Sequence, residues 1–192
     1  MTHRACLAVL LVAASITGPA FALEKIYLFR HAEKAEHWSE EPALEKFQPL
    51  SAAGRLRAEA LAEALEDKGI GAIYASHTTR ALATGMALSE RTGVPVTAEP
   101  STVDPAKMEG FLDELPPRHR QHGAVLIVGH SNTIPALLVR LGARPECYEK
   151  LGISETPRGL RIEGYTGLWE VELGKDECSG VARRVIELPD SP

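Results

Sequence analysis

The chain is short of positive charge: 21 Lys and Arg stand against 26 Asp and Glu, a formal net charge of −5. That balance excludes a general nucleic-acid binder, which needs surplus Lys and Arg to displace counterions from phosphates. Proline and glycine are also too few, at 13 and 16 of 192 residues, for a fibrous or low-complexity chain. No apolar run reaches the roughly 20 residues that span a bilayer; the longest, Cys6 to Ile16, is interrupted only by Ser15. Cysteine is scarce as well, with three in the chain.

What remains, 44% hydrophobic and 24% charged residues over 192 positions, describes one globular domain with one sizeable core. The first 22 residues stand outside it. His3 and Arg4 precede the apolar run, and Ala20-Phe21-Ala22 has the small-x-small form of a signal-peptidase site, so residues 1–22 read as a secretory signal peptide. Its removal takes away Arg4 and no acid, leaving 20 basic and 26 acidic side chains on residues 23–192. An exported, periplasmic protein with no membrane attachment after cleavage is expected. Cys147 and Cys178 would then remain in a compartment that permits a disulfide.

From Leu23 onward, short β-branched or aromatic runs alternate with helical stretches, the pattern of an α/β layer fold with a mainly parallel sheet and helices on both faces. Lys25 to Arg30 reads as a first strand. Ser51 is placed to cap a helix carrying Leu56, Ala60, Leu61, Ala64 and Leu65 at helical spacing, ended by Gly69. Ala72 to Ala75, Val94 to Ala98 and the continuous apolar run Ala124 to Val128 read as further strands; Thr79 to Arg91 and Thr133 to Leu141 read as helices. Leu168 to Leu173 and Val181 to Leu188 complete the strand set. Residues 101–123 are interrupted by prolines, with a short helix possible over Ala106 to Leu115.

Ligands of open α/β sheets bind beyond the carboxyl ends of the strands. Those positions carry Arg30-His31-Ala32-Glu33, Ser76-His77-Thr78-Thr79-Arg80 and Gly129-His130-Ser131-Asn132. Two arginines and two histidines would then converge on one rim of an acidic protein, where any anionic ligand must be met by a local basic pocket.

In this order, together with Ser76, Arg80 and Thr84 opening the second helix and Pro49-Leu50-Ser51-x-x-Gly54 opening the first, the motifs resemble the histidine phosphatase superfamily, in its branch of phosphoglycerate mutases and small phosphohistidine phosphatases. Ala32 and His77 stand where many members carry Gly and Pro. The resemblance implies a three-layer, phosphoglycerate mutase-like fold and hydrolysis of a phosphate monoester through a phosphohistidine on His31. Arg30 and Arg80 would hold phosphate oxygens, and His130 would stabilise the transferring group. No metal or cofactor is implied, and the partner would be a small phosphorylated substrate or a phosphoprotein. A zinc site on His31, His37 and Glu33 is disfavoured, since no other close His or Cys pair completes a ligand set. Phosphoglycerate mutase-like activity, protein phosphohistidine phosphatase activity and a non-catalytic phospholigand-binding module are the competing functions.

The leaving oxygen needs a proton. The resemblance implies an acid between the second arginine motif and Gly129-His130, a stretch that offers Glu90, Glu99, Asp104, Glu109, Asp113 and Glu114. Asp104 is the expected donor because it follows the third strand closely. It is equally placed to cap a helix that Pro105 would begin, and Glu33, two residues after His31, stays open as well. Trp38 and Trp169 read as packing residues, His119 and His122 as exposed loop residues.

Overall fold

The computed structural model describes residues 22–175 and 177–188, so the expected signal peptide, residues 1–22, lies outside the described residues except for its last position. The elements run β1 (Lys25–Arg30), α1 (Ala52–Leu65), β2 (Ile70–Ala75), α2 (Thr79–Thr92), β3 (Val96–Ala98), α3 (Pro105–Arg118), β4 (Ala124–Gly129), α4 (Thr133–Arg140), α5 (Tyr148–Leu151), β5 (Ile153–Thr156), β6 (Gly159–Ile162), β7 (Gly167–Glu172) and β8 (Val181–Val185). Six strands form one sheet in the order β3-β2-β4-β1-β7-β8. β3, β2, β4 and β1 are parallel, and β7 and β8 add antiparallel to the β1 edge.

Strand alternation sends side chains of β1 and β4 into two different cores. Ile26, Leu28, Val125 and Ile127 join Met108, Leu115, Ile134 and Leu138 under α3 and α4. Tyr27, Phe29, Leu126 and Val128 join Leu61, Leu65, Ala81 and Leu88 under α1 and α2. Helices therefore cover both faces, which explains why β4 is apolar at every position.

The helix ends are set by local chemistry. Ser51 Oγ accepts from the Gly54 amide at 3.0 Å, and α2 stops at Gly93, whose φ of 74° is left-handed. Gly54 serves a further purpose, because a Cβ there would lie 2.1 Å from the Glu33 carbonyl oxygen. Only glycine lets α1 approach the chain beyond His31 this closely.

The β5–β6 hairpin stands apart from the main sheet and was not visible in the sequence. Helix α3 runs on to Arg118 through Pro116 and Pro117, beyond the Leu115 limit expected. Cys147 and Cys178 are joined by a disulfide with a Cα separation of 5.7 Å, inside the usual range. Trp169 is packed as expected, but Trp38 is 49% exposed. His119 also departs from expectation: it is buried, and its Nε2 lies 2.8 Å from the Tyr74 hydroxyl.

Candidate active site

The register of the sheet builds the site. Arg30 of β1 pairs with Gly129 of β4, so the next residues, His31 and His130, emerge side by side, with the His31 amide donating to the Gly129 carbonyl at 2.9 Å. On the other side of β4, the Ser76 amide after β2 donates to the Val128 carbonyl at 3.2 Å. Three adjacent strand ends thus place His31, His130 and Ser76 in a row. The two imidazole centroids are 5.1 Å apart, and Ser76 Oγ lies 2.7 Å from His130 Nε2.

The protonation of His31 follows from its neighbours. Its Nδ1 lies 2.8 Å from the Ala32 carbonyl oxygen, which can only accept, so Nδ1 carries the hydrogen. Nε2 accepts from Arg80 Nε at 3.1 Å, and a guanidinium can only donate, so Nε2 holds a lone pair. Arg80 is itself fixed from below. Thr84 Oγ1 donates to the Arg80 carbonyl at 2.7 Å and accepts from the Ala32 amide at 3.0 Å, tying the first turn of α2 to the residue after His31.

Burial lowers the His31 imidazole to about 3, with the charges of Arg80 and Arg30 and the nearby His130 pushing the same way against the Ala32 hydrogen bond. Burial and the same two arginines lower His130 to about 4. Both rings are therefore neutral near neutral pH.

Arg30 is aimed by the loop after β6. Its Nη1 donates to the Gly164 carbonyl at 2.7 Å, and its guanidinium lies 4.1 Å from the centroid of the Tyr165 ring. Its buried Nε has no hydrogen-bond partner among the described residues. A buried donor left unpaired is costly, and an anion in the cleft would relieve it.

These groups open onto a cleft of about 410 Å³ whose wall also includes Lys34, His77, Ser131 and Glu45. Glu45 was not anticipated from the sequence. It sits in a 3-10 turn, Pro42–Phe47, and engages Arg80 twice: Glu45 Oε1 is 2.7 Å from Nη2, and its carbonyl accepts from Nη1 at 3.0 Å. Tyr165 and Gly164 were equally invisible, since they belong to the loop after the unrecognised hairpin.

The expected acids go elsewhere. Asp104 caps α3, its Oδ1 accepting from the Ala106 amide at 3.0 Å and its Oδ2 lying 3.5 Å from Lys107 Nζ; the cleft wall next to it is Val103. Glu33 is clamped by Arg57, whose Nε donates to both carboxylate oxygens at 2.7 and 2.9 Å. Among the described residues no group of three His, Cys, Asp or Glu side chains is placed to hold a metal ion.

Residues 26–102 match the model of the histidine phosphatase superfamily, branch 1. Over that stretch the chain is similar to the histidine phosphatase superfamily. The family match contains Arg30, His31 and Arg80 and ends before His130, which the sheet register brings to them. Solved structures extend the likeness of fold over most of the chain. A candidate phosphohistidine phosphatase SixA from Agrobacterium tumefaciens is 23% identical, with 88% of this chain and 99% of that one covered at a TM-score of 0.57. The alpha-ribazole phosphatase from Shigella flexneri is 17% identical over 84% of this chain and 95% of that one, with a TM-score of 0.59. A mycobacterial glucosyl-3-phosphoglycerate phosphatase is 18% identical, covering 84% and 96%, with a TM-score of 0.57. No curated protein matches the sequence.

Proposed function

We propose that the protein hydrolyses a phosphate monoester through a phosphohistidine on His31, after export to the periplasm. The observation that carries this reading is the His31 ring, held between the Ala32 carbonyl and Arg80 with its Nε2 lone pair on the cleft side of the site. A neutral imidazole with a fixed tautomer is a ready nucleophile and needs no base to deprotonate it.

Substrate phosphate enters among Arg30, Arg80 and His130 and displaces Arg80 from Nε2. Nε2 then attacks phosphorus, and the ester oxygen leaves with the electron pair of the breaking P–O bond and takes up a proton. A water afterwards attacks the phosphohistidine, releasing inorganic phosphate and returning the lone pair to Nε2. Positioning and charge do most of the work in such transfers, which suits a site of forked donors and neutral imidazoles.

With Asp104 engaged at the helix cap, Glu45 is the acid on the cleft wall that could protonate the leaving oxygen once phosphate has taken over Arg80. A phosphoramidate such as protein phosphohistidine depends less on that proton, and the lack of any other acid on the described wall favours it as the second reading. Export is supported by the signal-like first 22 residues and by the Cys147–Cys178 disulfide, a bond typical of oxidising compartments.

The test is turnover of p-nitrophenyl phosphate between pH 4 and 8 with rapid acid-free quenching. Wild type should release nitrophenol and carry alkali-stable, acid-labile phosphate on His31, and His31→Ala should do neither while remaining folded. Turnover by His31→Ala at the wild-type rate would refute the mechanism.

A further inference from the structure

Beside the phosphate cleft, and sharing Asn132 with it, lies a second groove of about 340 Å³ between α4 and the β5–β6 hairpin. Three arginines line it: Arg140 from the end of α4, Arg158 from the hairpin turn and Arg161 from β6. None of the three has a carboxylate within 4.0 Å among the described residues, whereas Arg57, Arg80, Arg91, Arg118 and Arg184 all do. In a chain of net charge −5, three unpaired guanidinium groups around one groove are a local reversal of sign.

The groove is also built rather than incidental. Arg140 is held by the carbonyls of Ala136 at 3.3 Å and Pro105 at 3.1 Å, contacts that use some of its donors and neutralise none of its charge. The turn bearing Arg158 is braced by Thr156, whose Oγ1 donates to the Gly159 carbonyl at 2.7 Å and accepts from the Arg158 amide at 3.2 Å. The hairpin is tied to the cleft, because the Ile162 amide donates to the Ser131 carbonyl at 2.9 Å, one residue from His130.

We infer that this groove is a second anion subsite and that the substrate is a small phosphate ester carrying another anionic group, phosphate or carboxylate, on the side that faces the hairpin. Forked guanidinium donors match either group. The scissile phosphate would lie with His31, and the second anion would lie past Asn132 among Arg158, Arg161 and Arg140. This rests on the proposed phosphate site and adds the substrate class to it.

The experiment uses non-hydrolysable probes on the whole protein: alkyl monophosphonates, and alkane α,ω-bisphosphonates and carboxyalkylphosphonates of increasing spacer length, titrated by calorimetry. At one spacer length the second anion should tighten binding at least tenfold over the monophosphonate, and the better of the two series identifies it as phosphate or carboxylate. Arg158→Ala/Arg161→Ala should remove that gain, while Arg120→Ala, which deletes an exposed charge elsewhere, should keep it. Monophosphonate binding with no gain at any spacer, or a gain that survives the double replacement, overturns the subsite alone. Failure of every phosphonate to bind overturns the phosphate site itself and the subsite with it.

Discussion

Arg80 donates its Nε hydrogen to the Nε2 atom of His31 at 3.1 Å, so the guanidinium that is to hold phosphate rests on the nitrogen that is to attack it. The two groups thus satisfy each other. Substrate exchanges that hydrogen bond for bonds to phosphate oxygens and exposes the lone pair in the same movement. Arg80→Ala should weaken competitive inhibition by vanadate by at least tenfold, since charge-assisted bonds contribute about 1.5 to 3 kcal/mol each. An unaltered inhibition constant would mean that Arg80 serves His31 and Glu45 only.

Glu45 competes for the same guanidinium. Its half-exposed carboxylate lies where an anion bound to Arg80 would place an oxygen. Glu45→Ala should therefore tighten the binding of sulfate, which has no proton to lose near neutral pH. If Glu45 also protonates the leaving oxygen, the same variant hydrolyses alkyl phosphates far more slowly than p-nitrophenyl phosphate, whose leaving group needs little help. Weaker sulfate binding in Glu45→Ala would show that the carboxylate supports the pocket instead of blocking it.

The depressed histidines give a signed pH dependence. His31 and His130 sit at about 3 and about 4 in the folded chain and near 6.5 when unfolded, so the unfolded chain binds more protons in between. Their contribution to stability is full above about pH 6.5 and is lost as pH falls toward those folded values. A bound dianion reverses the preference by favouring the imidazolium. Sulfate should consequently bind more tightly at pH 5 than at pH 7, with proton uptake visible as a dependence of calorimetric heat on buffer ionisation enthalpy. Binding heats that ignore the buffer would show that neither imidazole is protonated in the complex.

The rim of the site was legible in the sequence because it depends on strand ends. Each strand is short and strongly patterned, and the residue after its last apolar position is bound to face the cleft. What could not be read depends on long-range partners. The first helix was expected to bury Leu56, which is exposed, while Arg57 is buried because Glu33, from the loop after β1, receives it. The hairpin β5–β6 carries Ser154, Glu155 and Arg161, too polar to register as strand until α4 packs on it. Glu45 lies in a segment with no buried residue of its own, where no apolar period could mark it.

Asp104 shows how two correct local readings can compete. Its position after β3 suggested a rim acid; its position before Pro105 suggested a cap, and the carboxylate bonds the Ala106 amide. Asp104→Ala should then cost about 0.5 to 2 kcal/mol of stability, whereas Asp104→Asn should cost little because Asn caps as well as Asp. Hydrolysis should be unchanged in both. A selective loss of activity toward poor leaving groups in Asp104→Asn would return it to the proton-donor role.

The disulfide closes the segment of chain that carries the hairpin of the arginine groove. Cys147 immediately precedes α5 and Cys178 lies in the turn before β8, 31 positions later, so the bond closes a loop that contains α5, β5, β6 and β7. Chain-entropy arithmetic for a loop of that length gives roughly 3.5 to 4 kcal/mol in favour of the folded state. The sheet strands β7 and β8 have their own ladder and core contacts, but the hairpin is a two-stranded unit whose attachment is local. Such units open below the global free energy. Reduction should therefore lower the melting temperature and, before global unfolding, raise hydrogen exchange at the Ile162 amide, whose bond to Ser131 joins the hairpin to the His130 loop. Thiol titration of the unfolded, unreduced protein lacking residues 1–22 should find no reactive thiol. Two thiols per chain, or exchange at Ile162 that ignores reductant, would remove the disulfide from the account of how the hairpin is held.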